Sequence, residues 1–215
     1  AEGSFRSPLA DKTYQNNPYL TASLISHIDE VLASFEGQGG YDPFLCAQDV
    51  PQETFTDGTF YHGDLASVLL RTDFPDHNLT VDLYPTGKTW RIGNITCGNS
   101  PDGAAKAFYT WYLAYIGDRA SDEMRNPLVD GAYRESGFLS AEFIQELDEL
   151  VTDEIPADPI LMAQDIPQDF SIDPGIEAGT AIVHLQFGPD SARHLKVSLV
   201  EELGSWKITG IDLAE

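Results

Sequence analysis

Two carboxylates and an amide recur in one short motif, and they are the strongest candidates in the chain for chemistry. Asp42, Gln48 and Asp49 stand in Asp42-Pro-Phe-Leu-Cys-Ala-Gln-Asp-Val-Pro-Gln52, and Asp158, Gln164 and Asp165 stand in Asp158-Pro-Ile-Leu-Met-Ala-Gln-Asp-Ile-Pro-Gln168. Such a set can accept hydrogen bonds from a cationic or hydroxylated ligand. Held in an apolar cavity, a carboxylate with a raised pKa could instead act as a general base. Asp49 or Asp165 would then be the base, with Tyr14 or Tyr133 as hydrogen-bond donor. The plainer role is local, because Asp before Pro fixes a turn and short polar side chains satisfy nearby backbone donors. The motif is therefore expected to be structural in both places.

Other residues recur around it. Arg6 and Arg125 are expected to clamp the motif carboxylates as bidentate partners. Trp90 and Trp206, followed by Arg91 and Lys207, fall in a strand-like run, where a Trp is usually core but can also floor a pocket with a cation over a ring. The candidate ligand-binding residues are thus Asp42, Gln48, Asp49, Trp90, Arg91, Tyr133, Asp158, Gln164, Asp165 and Trp206. The five histidines, His27, His62, His77, His184 and His194, show no metal-ligand spacing, and no nucleophile elbow or phosphate loop is present. No catalytic residue, metal or cofactor is expected.

The elements that position these residues come twice. Arg6-Ser-Pro-Leu-Ala-Asp-Lys-Thr-Tyr14 matches Arg125-Asn-Pro-Leu-Val-Asp-Gly-Ala-Tyr133, and the match runs on through Leu20/Leu139, Ile25/Ile144 and Asp29/Asp148. After the motif come Leu79/Leu195, Val81/Val197, Trp90/Trp206, Ile92/Ile208 and Ile95/Ile211. A period this long is a duplicated domain. In each copy a helix comes first, with Leu20, Leu24, Ile28 and Leu32, or Leu139, Phe143 and Leu147, at helical spacing and Ser140 placed as a cap. The motif follows as an extended segment. Three strand-like runs close each copy, at 181–187, 193–200 and 205–212 in the second, and their short connections imply antiparallel pairing. A further helix, 104–118, precedes the second copy, with Phe108, Tyr109, Trp111, Tyr112 and Tyr115 giving it aromatic surface all round, so it should be buried in the second copy's sheet. The expected division is a first domain 1–97, a linker 98–103 and a second domain 104–215, an α+β layout.

Composition narrows the function classes. The net charge is −23, divided as 5 Lys/Arg against 14 Asp/Glu over residues 1–103 and 7 against 21 over 104–215. That excludes a counterion-releasing nucleic-acid binder and disfavours an anionic membrane surface. It serves solubility, or it attracts a cationic ligand or basic partner. No apolar run is long enough for a membrane span. The chain opens on Ala-Glu-Gly-Ser-Phe without a leader-like run, which reads as a processed or trimmed form. Asn78-Leu-Thr and Asn94-Ile-Thr fit the glycosylation sequon, which matters only in a eukaryotic secretory route.

The aromatic helix, Asn-Pro-Leu-x-x-x-x-Tyr, the second helix, the Asp-Pro motif and a final Trp-[Arg/Lys]-Ile strand together resemble a bacterial secreted domain of unknown function. That domain is similar to the nuclear transport factor 2-like superfamily of cystatin-like rolls. The resemblance implies two tandem cone-shaped rolls, the first lacking its opening helix, and an extracytoplasmic setting, periplasmic or secreted. A non-catalytic binding or protein-interaction module for an unidentified small molecule or protein is expected, with a small-molecule isomerase or hydrolase as the alternative. Cys46 and Cys97 stand where the second copy has the apolar Met162 and Leu213. Both should point inward, as a bridge across the sheet or as two buried thiols.

Overall fold

The computed structural model describes residues 7–35, 39–117, 125–151 and 157–214, and it is α+β. Among these residues are three α-helices, α1 (Ala22–Ser34), α2 (Pro101–Ile116) and α3 (Ala141–Leu150). Strands β1 (Thr54–His62), β2 (Leu65–Thr72), β3 (Asn78–Thr86) and β4 (Thr89–Cys97) make one antiparallel sheet in that order. Strands β5 (Asp169–Pro174), β6 (Thr180–Gly188), β7 (Ser191–Glu202) and β8 (Ser205–Leu213) make a second in the same way.

The local structure repeats in detail. Thr21 caps α1 by accepting the Leu24 amide, and Ser140 caps α3 by accepting the Phe143 amide. Just before each helix the chain lies alongside the last strand: the Thr21 amide bonds the Ile92 carbonyl at 3.0 Å, and the Ser140 amide bonds the Ile208 carbonyl at 2.9 Å. Trp90 faces Pro85 and Trp206 faces Glu201, in matching registers of β3–β4 and β7–β8. In β7 the alternation of Leu195, Val197 and Leu199 with Lys196 and Ser198 puts the leucines and the valine in the core.

Three expectations need correction. Each sheet has four strands where three runs are legible. The extra strands, β1 and β5, are edges whose Asp57, Gly58 and Pro174 mask the strand signal, and an edge tolerates such residues. The Asp-Pro motif is a closed turn and not an extended segment. Asp42 and Ala47 bridge its ends, as do Asp158 and Ala163, with Cys46 and Met162 at φ of 55° and 50°. The proline holds only the residue before it extended. Finally, the stretch 98–103 runs into α2, because Ser100 accepts the Gly103 amide and Pro101 occupies the first helical position.

That helix is gripped from both sides. Phe108, Tyr109 and Tyr112, all fully buried, join Leu128, Tyr133, Ile160 and Leu161 and the inner face of the second sheet in one core. The opposite stripe of α2 meets the first sheet. Gly58 of β1 lies so close that a Cβ there would stand 3.0 Å from the Ala114 side chain, and Lys106 bonds Asp82 of β3 at 2.5 Å. Phe60 and Leu69 of the first sheet belong to the same core. Helix α2 was expected to serve the second copy alone; its aromatic surface all round serves both sheets.

Each sheet has two faces, and the first uses them differently from the second. Its apolar face, with Leu79 and Val81, packs with Cys46 and with Leu70, Ile92 and Ile95. Its other face carries Ser67, Thr80 and Asp82, which are buried under α2.

Candidate binding site

The first copy holds an open groove of about 870 Å³ between its opening turns, its motif turn and Ile92 of β4. Leu9, Tyr14, Leu20, Phe44, Leu45 and Val50 form its apolar lining, with Asp42, Gln48 and Asp49 as polar members. The motif turn exists because Asp42 Oδ1 accepts the amides of Phe44 and Leu45, at 2.8 and 3.2 Å. Those bonds leave Asp42 Oδ2 without a partner among the described residues. Cys46 of the turn is bonded to Cys97 at the end of β4, with 5.5 Å between their Cα atoms.

The same turn in the second copy is closed over. Asp158 Oδ1 accepts the amides of Ile160 and Leu161, at 2.8 and 3.0 Å. Its Oδ2 accepts the Tyr112 hydroxyl of α2 at 2.6 Å, and the Tyr109 hydroxyl donates to the Ile160 carbonyl at 3.1 Å. Burial raises the Asp158 carboxyl above its usual range, against the lowering effect of the Tyr112 hydroxyl and the two amides. Burial and the neighbouring Asp158 push the Tyr112 phenol well up. The residues equivalent to the groove's lining (Leu128, Tyr133, Leu139, Ile160, Leu161, Ile208) are all buried beneath α2.

The remaining candidates are scattered. Gln164 and Asp165 line a smaller pocket of about 350 Å³ with Met162, Phe187 and Arg193. Asp49 and Asp165 are exposed, so neither sits in the apolar cavity a general base would need. Trp90 is 43% exposed and stands outside the groove, contrary to a core role. Trp206 is half-buried and donates its indole N–H to the Asn99 carbonyl at 3.2 Å. Arg91 is half-buried, with its Nε lacking a partner among the described residues. The guanidinium of Arg125 lies 4.0 Å over the Tyr115 ring, and Asp158 is held by Tyr112 and backbone amides. Arg6 lies outside the described residues.

Sequence reasoning missed one recurring pair. Tyr14 donates to the Asp29 carboxylate, and Tyr133 donates to Asp148, in each case across to the helix that follows. All four residues recur, and that was the available signal. The tyrosine bond, followed by those of Gln15 and Arg134, lowers the Asp29 and Asp148 carboxyls. Tyr14 and Tyr133 are pushed up to about 12 by burial and then by those carboxylates. A tyrosine whose folded pKa exceeds the unfolded value of about 10 adds stability that is whole below pH 10 and is lost as pH rises toward 12. Stability measured by urea unfolding should therefore fall more steeply across that window in the native chain than in a Tyr14→Phe/Tyr133→Phe variant. Parallel slopes would refute the linkage.

One constellation imitates a catalytic triad. His62 Nδ1 is 2.7 Å from Asp169 and its Nε2 is 3.0 Å from Ser67 Oγ. Yet Ser67 donates its proton to Asp82 at 2.7 Å and is 1% exposed beneath α2. Its hydroxyl is neither activated by His62 nor reachable, so the arrangement ties the two copies together. No group of three metal-binding side chains occurs among the described residues. None of the described helices is long and apolar enough to cross a membrane.

Neither a family model nor a curated protein matches the chain. A solved structure, the type VI native effector–immunity complex Tae3–Tai3 from Ralstonia pickettii, is similar over 54% of this chain and 97% of the matched one, at 23% identity and a TM-score of 0.43.

Proposed function

We propose that the chain is a non-catalytic protein-interaction module working outside the cytoplasm, and that its working surface is the first-copy groove. One observation carries this reading: equivalent seats exist in both copies, and α2 fills the second while the first stands open. A groove of this size with apolar walls and a few convergent polar groups has the general form of a binding site. The Cys46–Cys97 bond supports an oxidising compartment, periplasmic or secreted. We take each copy as a cone-shaped roll of the nuclear transport factor 2-like kind, the first domain ending near residue 97. The alternative, an isomerase or hydrolase, has weaker support, because its one raised motif carboxyl, Asp158, is covered by Tyr112.

The test places a photo-crosslinking phenylalanine at Val50, on the groove and 63% exposed, and at Ile176, fully exposed elsewhere. The extracytoplasmic fraction of the producing organism supplies the partner. A protein adduct is expected from position 50 and not from 176. That partner, once purified, should bind the native chain and lose at least tenfold in affinity for Val50→Glu. Equal adducts from both positions, or unchanged affinity, would overturn the reading.

A further inference from the structure

The duplication also says what shape of partner the groove takes. We propose that it receives an α-helix of a partner protein, with tyrosines at positions i and i+3 on the inserted face and basic residues at its flanks. This rests on the groove being the working surface, and it specifies the occupant.

The second copy provides the template. There Tyr109 and Tyr112, three residues apart and so on one face of α2, reach the Ile160 carbonyl and Asp158 Oδ2. The first copy presents the same two acceptors at Phe44 and Asp42. The Asp42 carboxylate is oriented by the same pair of amide bonds, with Oδ2 spare. No described group donates to the Phe44 carbonyl. A helix laid there in the manner of α2 would meet Leu9, Tyr14, Leu20 and Leu45 where α2 meets Leu128, Tyr133, Leu139 and Leu161.

The described part of this chain has no helix to spare. Helix α1 packs on β4, α3 packs on β8, and α2 is gripped between the two sheets. The occupant we commit to is a helix of a separate protein, on the ground of charge complementarity. Its flanks should be basic because Asp42 and Asp49 stand at the groove and the chain carries a net charge of −23.

The probe is a synthetic peptide of residues 101–117. It is stapled between positions 106 and 110, on the side that α2 turns to Asp82 and Gly58 of the first sheet. Isothermal calorimetry with the full chain should give one site per molecule. Tyr112→Phe in the peptide should weaken binding about tenfold, since the bond it removes is to a charged acceptor. In the chain, Val50→Glu should weaken binding at least tenfold. Ile166→Glu, at the equivalent exposed position of the second copy, should leave it unchanged. Asp42→Asn keeps the amide-accepting oxygen and should shrink the penalty for losing the Tyr112 hydroxyl. No binding by the peptide, or equal binding by its Tyr112→Phe form, overturns the helix assignment. If a Val50-dependent protein partner persists in that event, the proposed function stands without it. If the peptide competes with a small apolar dye and not with the protein partner, the occupant is a small molecule, and both readings fall.

Discussion

Breaking the Cys46–Cys97 bond is expected to lower unfolding free energy by roughly 3–4 kcal/mol while leaving the fold intact. The two residues are 51 apart in sequence, and a cross-link over a loop of that size restricts the unfolded chain by about that much. The second copy is an internal control for the native state. Met162 holds the same positive-φ position as Cys46, at 50° against 55°, so the turn forms without a bridge. A Cys46→Met/Cys97→Leu variant therefore supplies the residues that the second copy uses at both places, and it separates the cross-link from packing. Urea unfolding of this variant, and of the native chain with and without reductant, measures the effect. A difference below about 1 kcal/mol between the oxidised and reduced native chain would mean that the bridge contributes little.

Phe108→Ala should be costlier and should be felt in both sheets. The ring is fully buried and lies against Tyr109, Trp111, Tyr112 and Phe138. Removing a buried ring of this kind costs about 3–5 kcal/mol. Because Phe60 and Leu69 of the first sheet share a core with the second through α2, one cooperative transition is expected. Hydrogen exchange should show amides of β3 and β7 losing protection together in the variant. Two separated transitions in the native chain would contradict a shared core.

Much of the architecture was readable because the chain repeats itself. The pairs Tyr14/Tyr133 and Trp90/Trp206 and the motif all fall on equivalent elements, since duplication preserves register. Aromatic residues on every side of α2 announced burial, but not how many sheets would do the burying. The reason is physical: periodicity reports which faces are apolar and not what lies against them. The signal that α2 also meets the first sheet was polar. Ser67, Thr80 and Asp82 alternate with apolar residues, and they are buried where Lys106 bonds Asp82 and α2 approaches Gly58. The site was hidden for a related reason. Eight of the motif's eleven residues are identical in the two copies, and its state depends on whether a helix covers it. Tyr112 and Asp158 are 46 residues apart, and sequence does not bring them together.

A helix held between two sheets gives the pair of copies a direction. Among the described residues, one end carries the open groove of the first copy, and the other carries a face of the second sheet with no described helix on it. The far end is finished differently from the inner one. Where the first sheet offers buried Ser67, Thr80 and Asp82 to α2, the second turns His184, His194 and Lys196 to solvent, with Asp173 and Glu177 pairing among them. A polar outer surface of that kind is how repeat arrays are terminated. Among the described residues, the first copy thus ends in an open apolar groove and the second in a polar, paired sheet face.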